Sequence, residues 1–179
     1  IEKLFSLNLR TMAAALQQDL AQGDASLSFE DRLGLLVDLE HGAREQKRCN
    51  ARLRTAKLRQ PACVEDINYR AERSLDKQVM QDLITCRWIK AGGNVILTGP
   101  AGIGKSWLAC ALGNKACRDG YSCISYRVPR LAEELRIQHG KGGFAAWLAT
   151  LARTEVLILD DWALAPLEPA ARADLLEIV

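Results

Sequence analysis

Histidine is nearly absent from this 179-residue chain: His41 and His139 are the only two, and neither has ligand partners nearby in sequence. None of the six cysteines (Cys49, Cys63, Cys86, Cys110, Cys117 and Cys123) belongs to a C-x-x-C pair. These shortages argue against a zinc site or a disulfide framework and suit reduced thiols in a cytosolic protein. No signal peptide is visible, and no apolar run approaches the ~18 residues that a membrane span requires. The expected localisation is therefore cytoplasmic, with no membrane partner. Internal repeats and low-complexity tracts are missing too. The net charge is only +2, so any case for nucleic acid must come from local clustering. With 49% hydrophobic and 26% charged residues, the chain can bury a core, and its length suits one large domain or two small ones. It opens on Ile1 rather than methionine, as expected of a partial chain.

The most informative stretch is Thr98 to Ser106, T-G-P-A-G-I-G-K-S. From Gly99 through Pro100, Ala101, Gly102, Ile103, Gly104, Lys105 and Ser106 it fits G-x-x-x-x-G-K-[ST], the Walker A phosphate loop. Gly99 and Gly104 let the backbone curl so that successive N–H groups cradle a β-phosphate, and the following helix adds its positive end. Lys105 reaches the β- and γ-phosphates, and the Ser106 hydroxyl is placed to ligate Mg²⁺. The context agrees with the motif. Asn94-Val95-Ile96-Leu97-Thr98 reads as a buried strand, and Lys105 to Arg118 as a helix stopped at Asp119-Gly120.

Glu155 to Asp161, E-V-L-I-L-D-D, is an apolar run ending in two carboxylates, as expected of a Walker B strand. In a parallel sheet ligands gather at the carboxyl ends of strands, which puts Asp160 beside the loop. There Asp160 is expected to hold Mg²⁺ with Ser106, through water, and Asp161 to polarise the attacking water. Taken alone, the two carboxylates also suit a polar strand end or a cap.

Upstream, Leu7 to Ala21 reads as a helix broken at Gln22-Gly23-Asp24. Ser28 is placed as the N-cap of a second helix that nothing stops before Pro61. Its back half carries Arg44, Lys47, Arg48, Arg52, Arg54, Lys57 and Arg59 with only Glu45 to oppose them. At about 100° per residue these side chains cover a wide arc and leave a narrow stripe of Cys49, Leu53, Ala56 and Gln60 for docking. Such a face suits a DNA backbone and suits a merely solvated surface equally well.

Residues 61–73 read as a linker, with Tyr69 and Arg70 placed near a nucleotide base. Ser74 is the expected cap of one helix running through Lys90. Beyond the loop helix, Ser122 to Val128 alternates as a second strand, and Arg130 to His139 follows as a short helix. Phe144, Trp147, Leu148 and Leu151 then form a core stripe. Trp162 to Leu167 is a loop, and a last helix starts at Pro169.

Across nearly its whole length the chain resembles IstB-like proteins, ATP-dependent helpers of a bacterial insertion-sequence family related to DnaC-type helicase loaders. The likeness rests on G-N-V-I-L-T-G-P-A-G-I-G-K-S-W-L-A-C-A-L-G, K-A-C-R-D-G-Y-S, Y-R-V-P-R-L and V-L-I-L-D-D-W-A-L-A-P-L, with L-S-F-E-D-R-L-G-L-L-V-D and A-C-V-E-D-I-N-Y-R-A upstream. It implies an α/β P-loop ATPase of AAA+ type over 62–179, with a parallel sheet flanked by helices. A small all-α domain, the candidate DNA-binding part, would precede it over 1–61. ATP and Mg²⁺ are the implied cofactors; duplex DNA read with little sequence preference, a transposase and further copies of the chain are the implied partners. Gly99 to Ser106 map onto the phosphate loop, with Lys105, Asp160 and Asp161 catalytic. Ala163 departs from an expected Gly. The implied sheet order is 5-1-4-3-2, and the chain supplies only the first three strands. The sensor residue, arginine finger and lid are also not in it, so a truncated chain is expected. The alternatives are a DnaC-like helicase loader or an inactive truncated remnant. A small-molecule kinase fits less well, given the basic helix.

Overall fold

The computed structural model describes residues 1–22, 27–69, 75–162 and 166–178. The helix break at Gly23-Asp24, the Arg70 and Ser74 assignments and the Ala163 departure lie outside them. Two compact units divide the chain, Ile1–Ala51 and Arg52–Val179.

The first unit contains α1 (Glu2–Ser6), α2 (Arg10–Gln22) and most of α3 (Phe29–Ala56). Ser28 caps α3: its Oγ accepts the Asp31 N–H at 3.1 Å and donates to the Asp31 carboxylate at 2.8 Å. At the start of α2, Glu40 takes up two helix-end donors, the N–H groups of Thr11 (2.9 Å) and Met12 (3.0 Å). The bond from Met12 is the main reason its carboxyl lies below the ordinary carboxylate range, and Arg44 adds to the effect from 2.8 Å. Glu40 is thus a charge held in place by donors from within its own unit.

Where the sequence gives no stop before Pro61, α3 ends at Ala56, because Lys57 turns to a left-handed φ of 51°. The last turn of α3 belongs to the second unit. There Ala56, fully buried, packs with Cys86, Ala116, Cys117, Cys123 and Val156. The cysteines here are free thiols. Burial pushes the Cys86 thiol up to about 11, so it behaves as a small core residue.

The expected single helix to Lys90 is two, α4 (Lys77–Ile84) and α5 (Arg87–Lys90), separated by Cys86 at φ 56°. Asp76 caps α4 by accepting the N–H groups of Gln78 (2.7 Å) and Val79 (3.2 Å). The longest helix wholly within this unit is α6 (Lys105–Arg118). Strands β1 (Cys123–Arg127) and β2 (Val156–Asp160) lie parallel and in register, from Cys123 opposite Val156 to Arg127 opposite Asp160. Between them the chain crosses over through α7 (Val128–Gly140) and α8 (Phe144–Leu151), as parallel strands require. Alternation then sorts the side chains. Cys123, Val156 and Ile158 pack with the layer that includes Ala116 and Cys117 of α6, while Tyr126 and Leu159 pack with α7, α8 and α9 (Pro169–Ile178). Phe144 and Trp147 join that second layer as core residues.

One expected strand is not formed. Residues 94–98 join no ladder; Val95 and Leu97 are half-buried while Ile96 is 83% exposed. A strand exists only through a neighbour's hydrogen bonds, and among the described residues β1 and β2 pair only with each other.

Gly113 sets how closely α6 approaches the sheet. A Cβ there would lie 2.7 Å from Ile158 Cδ1, 3.1 Å from Leu58 Cδ2 and 3.2 Å from Cys123 Sγ. Gly113→Val is expected to destabilise the chain by about 1–3 kcal/mol in urea unfolding, as overpacking does. A second expectation concerns pH. Arg118 holds Glu65 through two bonds of 2.7 and 2.9 Å, and this pairing first of all takes the Glu65 carboxyl from 4.5 down to about 2. A lowered folded-state value means stability present above about pH 4.5 and lost as pH falls toward 2. The Glu65 side chain is 56% exposed, so screening limits the contribution to about 0.5–1 kcal/mol. Urea midpoints of wild type and Glu65→Gln should differ at pH 7 and converge toward pH 2.

Candidate nucleotide and metal site

Three glycines shape the loop between residue 98 and α6. Gly99, Gly102 and Gly104 have φ of 146°, 79° and 98°, and Gly104 is itself the N-cap of α6. A side chain at Gly104 would be strained in that left-handed conformation, which is the physical content of the second fixed glycine of the motif. Lys105 is the first helical residue, and its Nζ donates to the carbonyls of Gly99 and Pro100, both at 2.8 Å. Pro100 and Ala101 are exposed; Ile103 and Ser106 are half-buried.

Ser106 and Asp160 are 54 residues apart in sequence and meet at this loop, Ser106 Oγ donating to Asp160 Oδ1 at 2.8 Å. The contact sets the carboxyl end of β2 against the amino end of α6. Asp161 follows at φ 58°, a left-handed turn that aspartate tolerates, and its N–H donates to Asp160 Oδ1 at 3.0 Å.

Two arginines that the motifs do not contain complete the cluster. Arg59 Nη1 lies 2.9 Å from Asp160 Oδ2 and 3.7 Å from Asp161 Oδ2. Arg127, the last residue of β1, donates from Nε to Asp161 Oδ2. Burial pulls the Asp160 carboxyl upward, but bonds from Ser106, the Asp161 N–H and Arg59 together outweigh it and leave Asp160 below the usual aspartate value. The position of Arg127 had a partial signal in the sequence: the residue ending β1 stands opposite Asp160, which ends β2, and its bond goes one residue further, to Asp161. Arg59 had none.

The oxygen set suits a hard divalent cation. Ser106 supplies an alcohol and Asp160 a carboxylate, the donor types that Mg²⁺ takes beside nucleotide phosphates.

The seven basic residues in the back half of α3 and just beyond it divide by what they touch. Arg44 bonds Glu40 and the Asn8 carbonyl, and Arg48 pairs with Glu45 at 2.5 Å. Arg52 donates to the Cys117 carbonyl at 2.7 Å and so caps the end of α6. Arg59 belongs to the carboxylate cluster. Among the described residues Lys47, Arg54 and Lys57 are exposed and make no ion pair. Of the stripe expected to dock, Leu53 and Ala56 do pack into the second unit, whereas Gln60 lies beyond the helix end and is exposed. Tyr69 is half-buried against the core near Leu108, with Lys77 Nζ 5.9 Å from its ring centre.

A glycine loop entering a helix, set against the carboxyl end of a parallel strand, defines an α/β protein of the kind that binds phosphates. The family model for IstB-like ATP-binding proteins matches residues 2–179, and the chain belongs to that family. It is 48% identical over 181 residues to a protein named for ATP binding in insertion sequence IS1162 of Pseudomonas fluorescens, covering 100% of this chain and 78% of that one. It is 47% identical to the insertion-sequence protein y4pL of Sinorhizobium fredii, covering 100% and 74%. A further relative, from an insertion sequence of Mycobacterium tuberculosis, is 32% identical with 98% and 70% covered. No helix among the described residues is long and apolar enough to cross a membrane.

Proposed function

We propose that the chain is an ATP-dependent, duplex-DNA-binding helper of a transposase, built on an AAA+ core that binds and hydrolyses ATP with Mg²⁺. The observation that carries this reading is the Ser106–Asp160 contact, because it joins the ends of two separate motifs at one point. The insertion-sequence relatives favour a transposition role over helicase loading. The AAA+ order 5-1-4-3-2 puts the segment before the loop beside neither β1 nor β2, which agrees with residues 94–98 making no ladder to them.

In this reading Lys105 exchanges the Gly99 and Pro100 carbonyls for the β- and γ-phosphates of ATP. Ser106 and Asp160 hold Mg²⁺, which offsets phosphate charge when bound. Asp161 orients the attacking water, once Arg127 yields its carboxylate or shares it. The basic run of α3 contacts DNA phosphates rather than bases, with Lys47, Arg54 and Lys57 the most available cations. Copies of the chain assemble on the duplex in the cytoplasm, ATP ordering the assembly and hydrolysis resetting it.

Anisotropy of a labelled random-sequence duplex tests the whole proposal. Binding is expected to tighten with Mg²⁺-ATP and to weaken more than about tenfold between roughly 50 and 200 mM salt. Lys105→Ala should abolish nucleotide binding and with it the ATP effect; binding that ignores ATP would overturn the coupling. Asp161→Asn should keep nucleotide binding but slow turnover by about 10²-fold or more. Turnover equal to wild type would remove Asp161 from the mechanism.

A further inference from the structure

In the second unit, the ion pair between Arg59 and Asp160 joins residues 101 apart in the chain. It forms at the very carboxylate that the proposed ATP site assigns to the metal, and any role for Arg59 there rests on that assignment. Both oxygens of Asp160 are engaged: Oδ1 accepts Ser106 Oγ and the Asp161 N–H, and Oδ2 accepts Arg59 Nη1. Arg59 lies three residues beyond the end of α3, and its side chain is 45% exposed, so the guanidinium can swing out without breaking any core contact. A fixed positive charge 2.9 Å from Oδ2 opposes a divalent cation at the same carboxylate.

We propose that Arg59 is the metal site's own counter-ion: it neutralises Asp160 until a divalent cation displaces it, and displacement frees the guanidinium to face the nucleotide's phosphates. Arg59 is then a positioning residue of the ATP site and not one of the DNA contacts. The planar fork of arginine suits both duties, pairing with a carboxylate in one arrangement and with phosphate oxygens in the other. Arg127 cannot substitute, because its Nε bonds Asp161 and leaves Oδ2 of Asp160 to Arg59.

The test is Mn²⁺ titration followed by the EPR signal of the free ion, without nucleotide and with saturating ATP. Arg59→Ala should bind Mn²⁺ about fivefold more tightly than wild type when no nucleotide is present, the size expected of one partly exposed ion pair. Arg59→Lys, which keeps the charge, should stay near wild type. Lys90→Ala removes the same charge from an exposed position at the end of α5, outside the cluster, and controls for net charge. Arg59→Gln replaces the alanine variant if the latter melts early. Addition of ATP should reduce the advantage of Arg59→Ala, since the freed arginine then helps the wild type hold phosphate. Equal or weaker Mn²⁺ binding by both Arg59→Ala and Arg59→Gln overturns the proposal while leaving ATP binding at the loop intact. Failure of the wild type itself to bind a fluorescent ATP analogue would instead overturn the nucleotide reading on which the proposal rests.

Discussion

The carboxylate of Asp160 is the point on which the second unit's architecture converges. It sits at the end of β2, accepts from Ser106 in the first turn of α6 and from Arg59 just beyond α3, and orders the next residue through the Asp161 N–H. Three segments far apart in sequence are registered on two oxygen atoms. A partly buried carboxylate keeps its charge only if such donors outweigh the loss of water, and here they do. Geometry and charge are therefore coupled at this residue: moving α6, β2 or the Arg59 segment changes the electrostatics of the cluster.

Packing fixes how far those segments can move. Helix α6 is pressed against the sheet at Gly113, where nearby side-chain atoms leave little room for even one methyl group. Its far end is held as well, the Cys117 carbonyl by Arg52 and Arg118 by Glu65. A helix pinned at its middle and its C-terminal end presents a nearly fixed N-terminus. Ser106, in the first turn of that helix, is thereby held against Asp160.

Much of this was legible in the sequence, and what was not has identifiable causes. Walker-type spacing located both the loop and the acidic strand end, and alternation located β1 and β2, because each is a local pattern. Residues 94–98 carry an equally good strand pattern yet make no ladder. Pattern reports which faces can be buried, whereas a strand also needs a neighbour. The stops at Lys57 and Cys86 were missed because both residues adopt left-handed conformations with no glycine or proline to announce them. Glu40 was missed for another reason: it caps α2 from 28 and 29 residues away, a contact no window on α2 contains.

Arg59 makes the same point about charge. Read as a run, the seven basic residues of α3 and its end form one surface; read by contact, four of them already serve other anions or carbonyls of the chain. A cation engaged in this way is available to an outside anion only at the cost of the bond it leaves. For Arg59 that bond is to Asp160, and thermodynamic linkage makes the exchange reciprocal. Whatever metal binding contributes toward releasing Arg59, an anion that captures Arg59 must contribute equally toward metal binding. The phosphates of a nucleotide are such an anion, so metal and nucleotide would each favour the other through a residue that neither motif includes.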